Sequence, residues 1–279
     1  MNKIGLVLEG GALRGVFSSG VIDCFLDNGV EFDYVVGVSA GCCNLYQYVA
    51  KNRGYFKRCM MPKNPFDSFY GVSQMIVSHK FVDLDKVFDE YALEYDFSYE
   101  EFVKNKVDWE AVVSNIDTGK AEYMHTDDAE RSKLIGKASC SMPGLTSPVE
   151  IDGQFYLDGG ICDSIPVMRA LENGCDKVVI VLTRKKGNYS SFNEPTRLFF
   201  KRMFSDHPEF LKALMERSDL YKDQVELSEK LETQDKAIII RPTMQEVGRL
   251  ESNEDDLSLS YYHGYTKAKE YLDKINSWK

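Results

Sequence analysis

A short apolar run that ends in a glycine-rich turn and passes at once into a helix-compatible stretch occurs twice within the first fifty residues. That repeat constrains the fold more than any other feature of the chain. Ile4–Leu8 reads as a buried strand, residues 10–15 as the turn, and Val16, Phe17, Val21, Ile22, Phe25 and Leu26 as the apolar side of a helix that Gly29 can cap. Tyr34–Val38 reads as a second strand that runs straight into Ser39 and a helical stretch over residues 40–51. Strands alternating with helices in this way predict an α/β architecture.

The rest of the chain extends the alternation. Residues 66–80 and 84–91 read as helices following Pro62 and Pro65, and together they suggest a cover over the core. Strands are expected at residues 109–115 and 121–125 around a tight turn, followed by a helix at 129–139 that stops near Pro143. Asp152-Gly153 between two β-compatible runs is a hairpin signal, and the second run leads directly into Asp158. Pro166 opens a helix that Gly174 ends, ahead of a β-branched strand at 177–183. Beyond Gly187 the composition turns charged, with helices expected at 196–204, 208–216 and 220–231, a strand at 237–241 and a closing helix at 257–275. The expected organisation is a catalytic core over residues 1–185 and a mostly helical C-terminal region with one strand over 186–279, packed on that core.

Composition narrows the possible partners. A net charge of −10 argues against nucleic acid, which needs a concentrated basic face. The short basic runs Arg184-Lys185-Lys186 and Lys201-Arg202 read as solvated surface. Seven scattered cysteines with no C-x-x-C spacing predict reduced thiols and no structural zinc. No run approaches the roughly eighteen apolar residues of a membrane span, so a soluble, cytoplasmic protein is expected, meeting a membrane surface transiently if at all. No acidic segment has the calcium-loop form, and no cofactor is implied.

Chemistry concentrates at three places. Gly37-Val38-Ser39-Ala40-Gly41 fits G-x-S-x-G, in which a sharp strand-to-helix turn pushes a serine outward. Gly10-Gly11-Ala12-Leu13-Arg14-Gly15 sits between strand and helix, where several backbone N–H groups can converge as an oxyanion hole. A dinucleotide loop would need glycine at Ala12, and a P-loop would need a lysine that is missing. Arg14 is expected to tie this loop down through backbone carbonyls, with a position near the substrate as the alternative. Asp158-Gly159-Gly160, alone no more than a β-turn signal, puts a carboxylate at a strand end beside small neighbours.

Taken in order, these segments, with Ala138-Ser139-Cys140-Ser141-Met142-Pro143 between the last two, resemble the bacterial members of the patatin-like phospholipase family over about residues 3–183. The resemblance implies a three-layer α/β/α fold with a mostly parallel central sheet. It also implies a Ser-Asp dyad falling on Ser39 and Asp158, and oxyanion donors falling on Gly10, Gly11 and Ala12. The chain departs from the family pattern at Glu9, where Asp is common, and at Ala12, where a third glycine is common; alanine resists positive φ.

The chemistry so implied is hydrolysis of a lipid or small carboxylic ester through an acyl-enzyme, with Asp158 taking the Ser39 proton. Candidate acyl grooves are Phe66, Phe69, Tyr70, Met75 and Ile76, or Leu198, Phe199, Phe200, Met203 and Phe204. Arg197, Lys201 and Arg202 beside the second set suit an anionic lipid surface. Two alternatives stand beside this reading: a Ser-Asp-His esterase using His207 or His263, and a catalytically silent lipid-binding protein of the same fold. The sequence specifies no oligomeric state.

Overall fold

The computed structural model describes residues 2–62, 68–71, 74–76, 79–189, 191–244, 246–249 and 253–279. Its centre is one eight-stranded sheet: β1 (Ile4–Leu8), β2 (Tyr34–Val38), β3 (Asp108–Asn115), β4 (Ala121–Met124), β5 (Val149–Ile151), β6 (Gln154–Asp158), β7 (Lys177–Val181) and β8 (Ala237–Ile240). The order is β5-β6-β3-β2-β1-β7-β8, with β4 also paired to β3. β1, β2, β3, β7 and β8 run parallel, whereas β6 joins β3 and β5 joins β6 antiparallel.

Period-two alternation explains why helices cover both faces. Leu6, Leu8, Val35 and Val179 enter one apolar cluster; Val7, Val36, Val38 and Ile180 enter the other. The first face is covered by α1 (Gly15–Asp27), α2 (Ala40–Val49) and the Glu254–Lys269 helix, through residues such as Phe17, Leu45 and Tyr261. The second is covered by the Val167–Glu172 and Pro208–Thr233 helices, through Val167, Ala170, Tyr221 and Val225. The result is a three-layer α/β/α fold with a mostly parallel sheet, as the sequence led us to expect. β8 extends the sheet beyond β7, so the C-terminal region shares the central sheet.

Several local expectations are corrected. Part of the helix expected at 66–80, including Phe66, lies outside the described residues. Among the described ones the chain doubles back: Tyr70 bridges Val82, and the Gly71 N–H donates to the Phe81 carbonyl at 2.9 Å. Gly71 has φ 100°, which a helix does not accommodate. The two helices expected at 208–216 and 220–231 are a single helix, Pro208–Thr233. The intervening Arg217-Ser218-Asp219 suggested a break by local propensity, but the Arg217 side chain bonds to the Gly160 carbonyl and holds the helix across the core. The closing helix is split into Glu254–Lys269 and Leu272–Asn276. The Asp152-Gly153 hairpin forms as expected, both residues having positive φ, 52° and 76°.

The final long helix crosses α1 at backbone contact. A Cβ on Gly20 would lie 2.0 Å from the Tyr261 carbonyl oxygen, and one on Gly264 would lie 2.0 Å from that of Phe17. Beside this crossing, buried Asp23 accepts hydrogen bonds from Tyr261 Oη at 2.5 Å, Gln47 Nε2 at 2.7 Å and the Gly54 N–H at 2.9 Å. Gly264→Ala is expected to force the helices apart and cost about 1–3 kcal/mol, whereas an exposed alanine exchange in the same helix, Leu259→Ala, costs far less. Urea unfolding of the two variants checks this; equal midpoints would refute the backbone contact.

Candidate active site

Ser39 occupies the single position between β2 and α2, at φ 55° and ψ −124°, a backbone state that L side chains rarely hold without support. Its neighbours supply that support. A Cβ on Gly37 would come within 2.5 Å of the Gly41 carbonyl oxygen, and one on Gly41 within 2.2 Å of that of Leu8. Both glycines of the G-x-S-x-G pattern are therefore steric necessities. The Ser39 N–H donates to Ser139 Oγ at 2.9 Å, so the Ala138 to Pro143 segment pins the turn, a role that sequence did not single out for Ser139.

Asp158 ends β6 opposite Val113 of β3, and the next residue is locked against that strand, since a Cβ on Gly159 would sit 2.2 Å from the Val112 carbonyl oxygen. The Asp158 side chain accepts a hydrogen bond from the Gly160 N–H at 2.8 Å and lines the same cavity as Ser39. Burial raises the Asp158 pKa above the ordinary carboxylate value; the neighbouring Ser39 hydroxyl and the Gly160 N–H, then Arg217 and Arg249, pull it back only partly.

The Gly10–Ala12 loop lies over this pair. A Cβ on Gly10 would touch Ser39 Cβ at 3.0 Å, and one on Gly11 would meet Thr183 Oγ1 at 2.7 Å. Among the described residues none accepts a hydrogen bond from the Gly10, Gly11 or Ala12 amide, which leaves those N–H groups for a ligand. Glu9, 2% exposed, holds the loop from behind: its carboxylate accepts from the Thr183 N–H at 2.5 Å and pairs with Arg184 at 3.8 Å. Ala12 has φ 51°, so the chain takes up the left-handed conformation despite its Cβ.

Gly10, Gly11, Ala12, Arg14, Ser39 and Asp158 all line one cavity of about 310 Å³. The Arg14 Nε has no hydrogen-bond partner among the described residues, so it does not serve the loop carbonyls as expected from sequence; its guanidinium lines the cavity instead. Arg184 is also corrected: it is 3% exposed and lines the same cavity, whereas it had read as part of a solvated basic run. Arg217 and Arg249 complete the wall, and neither was foreseen. A second, narrow cavity of about 50 Å³ opens from the other side of Ser39, with apolar walls that include Phe56, Met60, Phe69, Tyr70 and Phe88.

The two candidate grooves divide between these spaces. Phe69 and Tyr70 line the apolar cavity, while Met75 and Ile76 are exposed. Phe199 and Phe200 line the larger cavity; Phe204 is buried, and Leu198 and Met203 face outward. None of the four histidines lines either cavity: His207 pairs with Asp117 at 3.3 Å, and His263 lies 3.1 Å from Thr243 Oγ1. Among the described residues no helix is long and apolar enough to cross a membrane.

Comparison with known proteins places the chain in a family. It belongs to the patatin-like phospholipase family, whose profile matches residues 6–171. Residues 207–279 match a domain of unknown function, DUF6363. The uncharacterized protein YjjU of Escherichia coli K12 is 30% identical over 215 residues, covering 72% of this chain and 56% of that protein. Lysophospholipase NTE1 of Scheffersomyces stipitis is 25% identical and lysophospholipase nte1 of Neurospora crassa 27%, matching 99% and 98% of this chain but only 18% of each of those proteins. This chain therefore corresponds to about half the length of YjjU and under a fifth of the two lysophospholipases. Among solved structures, VipD from Legionella pneumophila superposes with a TM-score of 0.50 at 13% identity, over 99% of this chain and 67% of that one, a likeness of fold.

Left-handed φ at a residue with a Cβ costs about 1–3 kcal/mol. Ala12→Gly is therefore expected to leave the unfolding free energy unchanged or raised, whereas Ala12→Val, β-branched at positive φ, lowers it by more than 1 kcal/mol. Chemical denaturation of the pair tests this, and a stable Ala12→Val protein would contradict the strained geometry.

Proposed function

We propose that the chain is a serine acyl hydrolase acting on carboxylic esters of lipids, of phospholipase, lysophospholipase or esterase type. The observation that carries the reading is that Ser39, Asp158 and the Gly10, Gly11 and Ala12 amides, which have no hydrogen-bond acceptor among the described residues, line one cavity. Membership of the patatin-like phospholipase family and likeness to two lysophospholipases support it.

In this reading Ser39 Oγ attacks the ester carbonyl carbon while its proton passes to the Asp158 carboxylate. The carbonyl oxygen becomes an oxyanion held by the Gly10, Gly11 and Ala12 N–H groups, joined by the field of the α2 N-terminus. Collapse of this intermediate breaks the bond to the alcohol, which leaves with the proton from Asp158, and an acyl-Ser39 remains. Water then repeats the sequence, giving up its proton to Asp158 and releasing the acid with Ser39 reprotonated. Burial helps here, because a carboxylate with a raised pKa is a stronger base. The apolar cavity beside Ser39 suits the acyl chain.

A triad through His207 or His263 has no support in the geometry, since both rings are engaged away from the cavity. A silent binding protein would need neither the strained Ser39 nor a buried carboxylate lining the same cavity. Leu198 and Met203, exposed on either side of Lys201 and Arg202 on the helix that borders the larger cavity, suit transient contact with a lipid surface.

Ser39→Ala and Asp158→Asn are each expected to lower kcat/KM for a p-nitrophenyl ester by at least about 10³-fold, and retention of most activity by either would sink the assignment. The wild-type kcat/KM is expected to rise with pH through an apparent pKa above 3.8, the ordinary aspartate value. The same shift has a stability consequence. Because the folded pKa lies above the unfolded one, ionised Asp158 costs stability, a cost that grows as pH rises between those two values and is complete above both. Asp158→Asn should therefore melt no lower than wild type at pH 7, and a clear drop in its melting temperature would contradict the buried-carboxylate account.

A further inference from the structure

The larger cavity carries more positive charge than an ester hydrolase needs. Four guanidinium groups, from Arg14, Arg184, Arg217 and Arg249, face two carboxylates, Glu9 and Asp158. The negative charges are already engaged: Glu9 with the Thr183 N–H and Arg184, Asp158 with the Gly160 N–H. Arg14 is nine-tenths buried, its Nε is unpartnered, and burial followed by the nearby Arg184 charge pushes its pKa down to about 10. Arg184 is buried as well, while Arg217 is half-buried and Arg249 is exposed. Like charges gathered in one cavity repel one another, a cost that a bound anion would reduce.

The origin of these groups gives the feature its meaning. Arg14 follows the glycine loop and Arg184 follows β7, but Arg217 and Arg249 come from residues 207–279, the part that matches a domain of unknown function. Arg217 is held at the cavity by donating to the carbonyl of Gly160, the residue whose N–H bonds to Asp158. Arg249 borders the apolar cavity as well as the charged one, at the junction where Ser39 sits. Ser39 therefore lies between a small apolar space and a larger cavity whose wall combines four arginines with Phe192, Phe199, Phe200 and Leu214, a lining that suits an ester with both hydrocarbon and anionic parts.

We propose that the C-terminal region completes the active site as its anion-recognition half, with Arg217 and Arg249 joining Arg14 to hold the phosphate on the alcohol portion of the substrate. This rests on the hydrolase reading and deepens it: the preferred esters are acyl glycerophosphates, in which the ester carbonyl and the phosphate are separated by a short glycerol link. Guanidinium groups suit this role, since their paired N–H donors match phosphate oxygens.

The test uses the full-length protein and three esters with the same acyl chain: a monoacyl glycerophosphate, a monoacylglycerol and a p-nitrophenyl ester. The ratio of kcat/KM for the phosphate ester to that for the monoacylglycerol is expected to exceed one in wild type and to fall about tenfold or more in Arg217→Met and Arg249→Met, with partial retention in the lysine variants. Thermal shift of Ser39→Ala protein supplies a readout independent of turnover: the monoacyl glycerophosphate should raise the melting temperature more than monoacylglycerol, and Arg249→Met should abolish the difference. Should either methionine variant fail to fold, its lysine counterpart and the thermal shift carry the comparison. A ratio that is the same in wild type and variants overturns the proposal while leaving the hydrolase intact. Protection by free fatty acid or inorganic phosphate, with none by the phosphate ester beyond monoacylglycerol, overturns it as well. If no ester is hydrolysed, the hydrolase reading falls, and the thermal shift alone decides whether the cavity takes an anionic lipid.

Discussion

The site depends on the approach of the start of α2 to the end of β1, where Gly41 leaves no room for a side chain against the Leu8 carbonyl. Because these backbones meet, the turn bearing Ser39 lies directly beneath the loop that follows β1, and Gly10 contacts the Ser39 side chain. Two parallel neighbouring strands thus place their two following turns in one space. The opposite wall comes from β3 and β6: antiparallel pairing of Val113 with Asp158 sends the carboxylate back toward the same end of the sheet. The arrangement is a consequence of sheet order, with each functional group delivered by a strand terminus and steadied by a glycine contact.

The polar groups around the site are costly to bury and are arranged so that nearly every one is answered. Glu9 takes the Thr183 N–H, Thr183 Oγ1 donates to the Gly10 carbonyl, and Ser114 Oγ donates to the Asp158 carbonyl. Glutamate at position 9 reaches Thr183 across the sheet, so the family departure there serves to anchor the glycine loop. The arginine wall differs: Arg14 Nε has no hydrogen-bond partner among the described residues, and four guanidinium groups share the cavity with two carboxylates. On our proposal, the phosphate of the substrate answers that excess of positive charge.

Much of this was legible because steric contacts leave glycines at fixed intervals in the sequence. Gly10, Gly37, Gly41 and Gly159 are each forced by a neighbouring atom, and they bracket the residues that matter. The alternating strands were legible for the same local reason. Arg217 was not, because within the Pro208–Thr233 helix it is one charge among many, and its place in the cavity wall rests on a hydrogen bond to the Gly160 carbonyl, far away in sequence. Arg184 was misread because a run of three basic residues has the composition of a surface, while Glu9, a distant residue, draws only the first of them inward.

The crossing of α1 with the Glu254–Lys269 helix joins segments nearly the whole chain apart, and its fit admits no methyl group at either glycine. β1, at the middle of the sheet, gains its second parallel partner only when residues 177–181 are available. Long loops must therefore close before the central layer is complete, a topology associated with slow folding. During ribosomal synthesis the turn bearing Ser39 emerges well before residues 217–249, so on the proposal above a nascent chain would carry the serine long before it held the arginines that recognise a charged lipid.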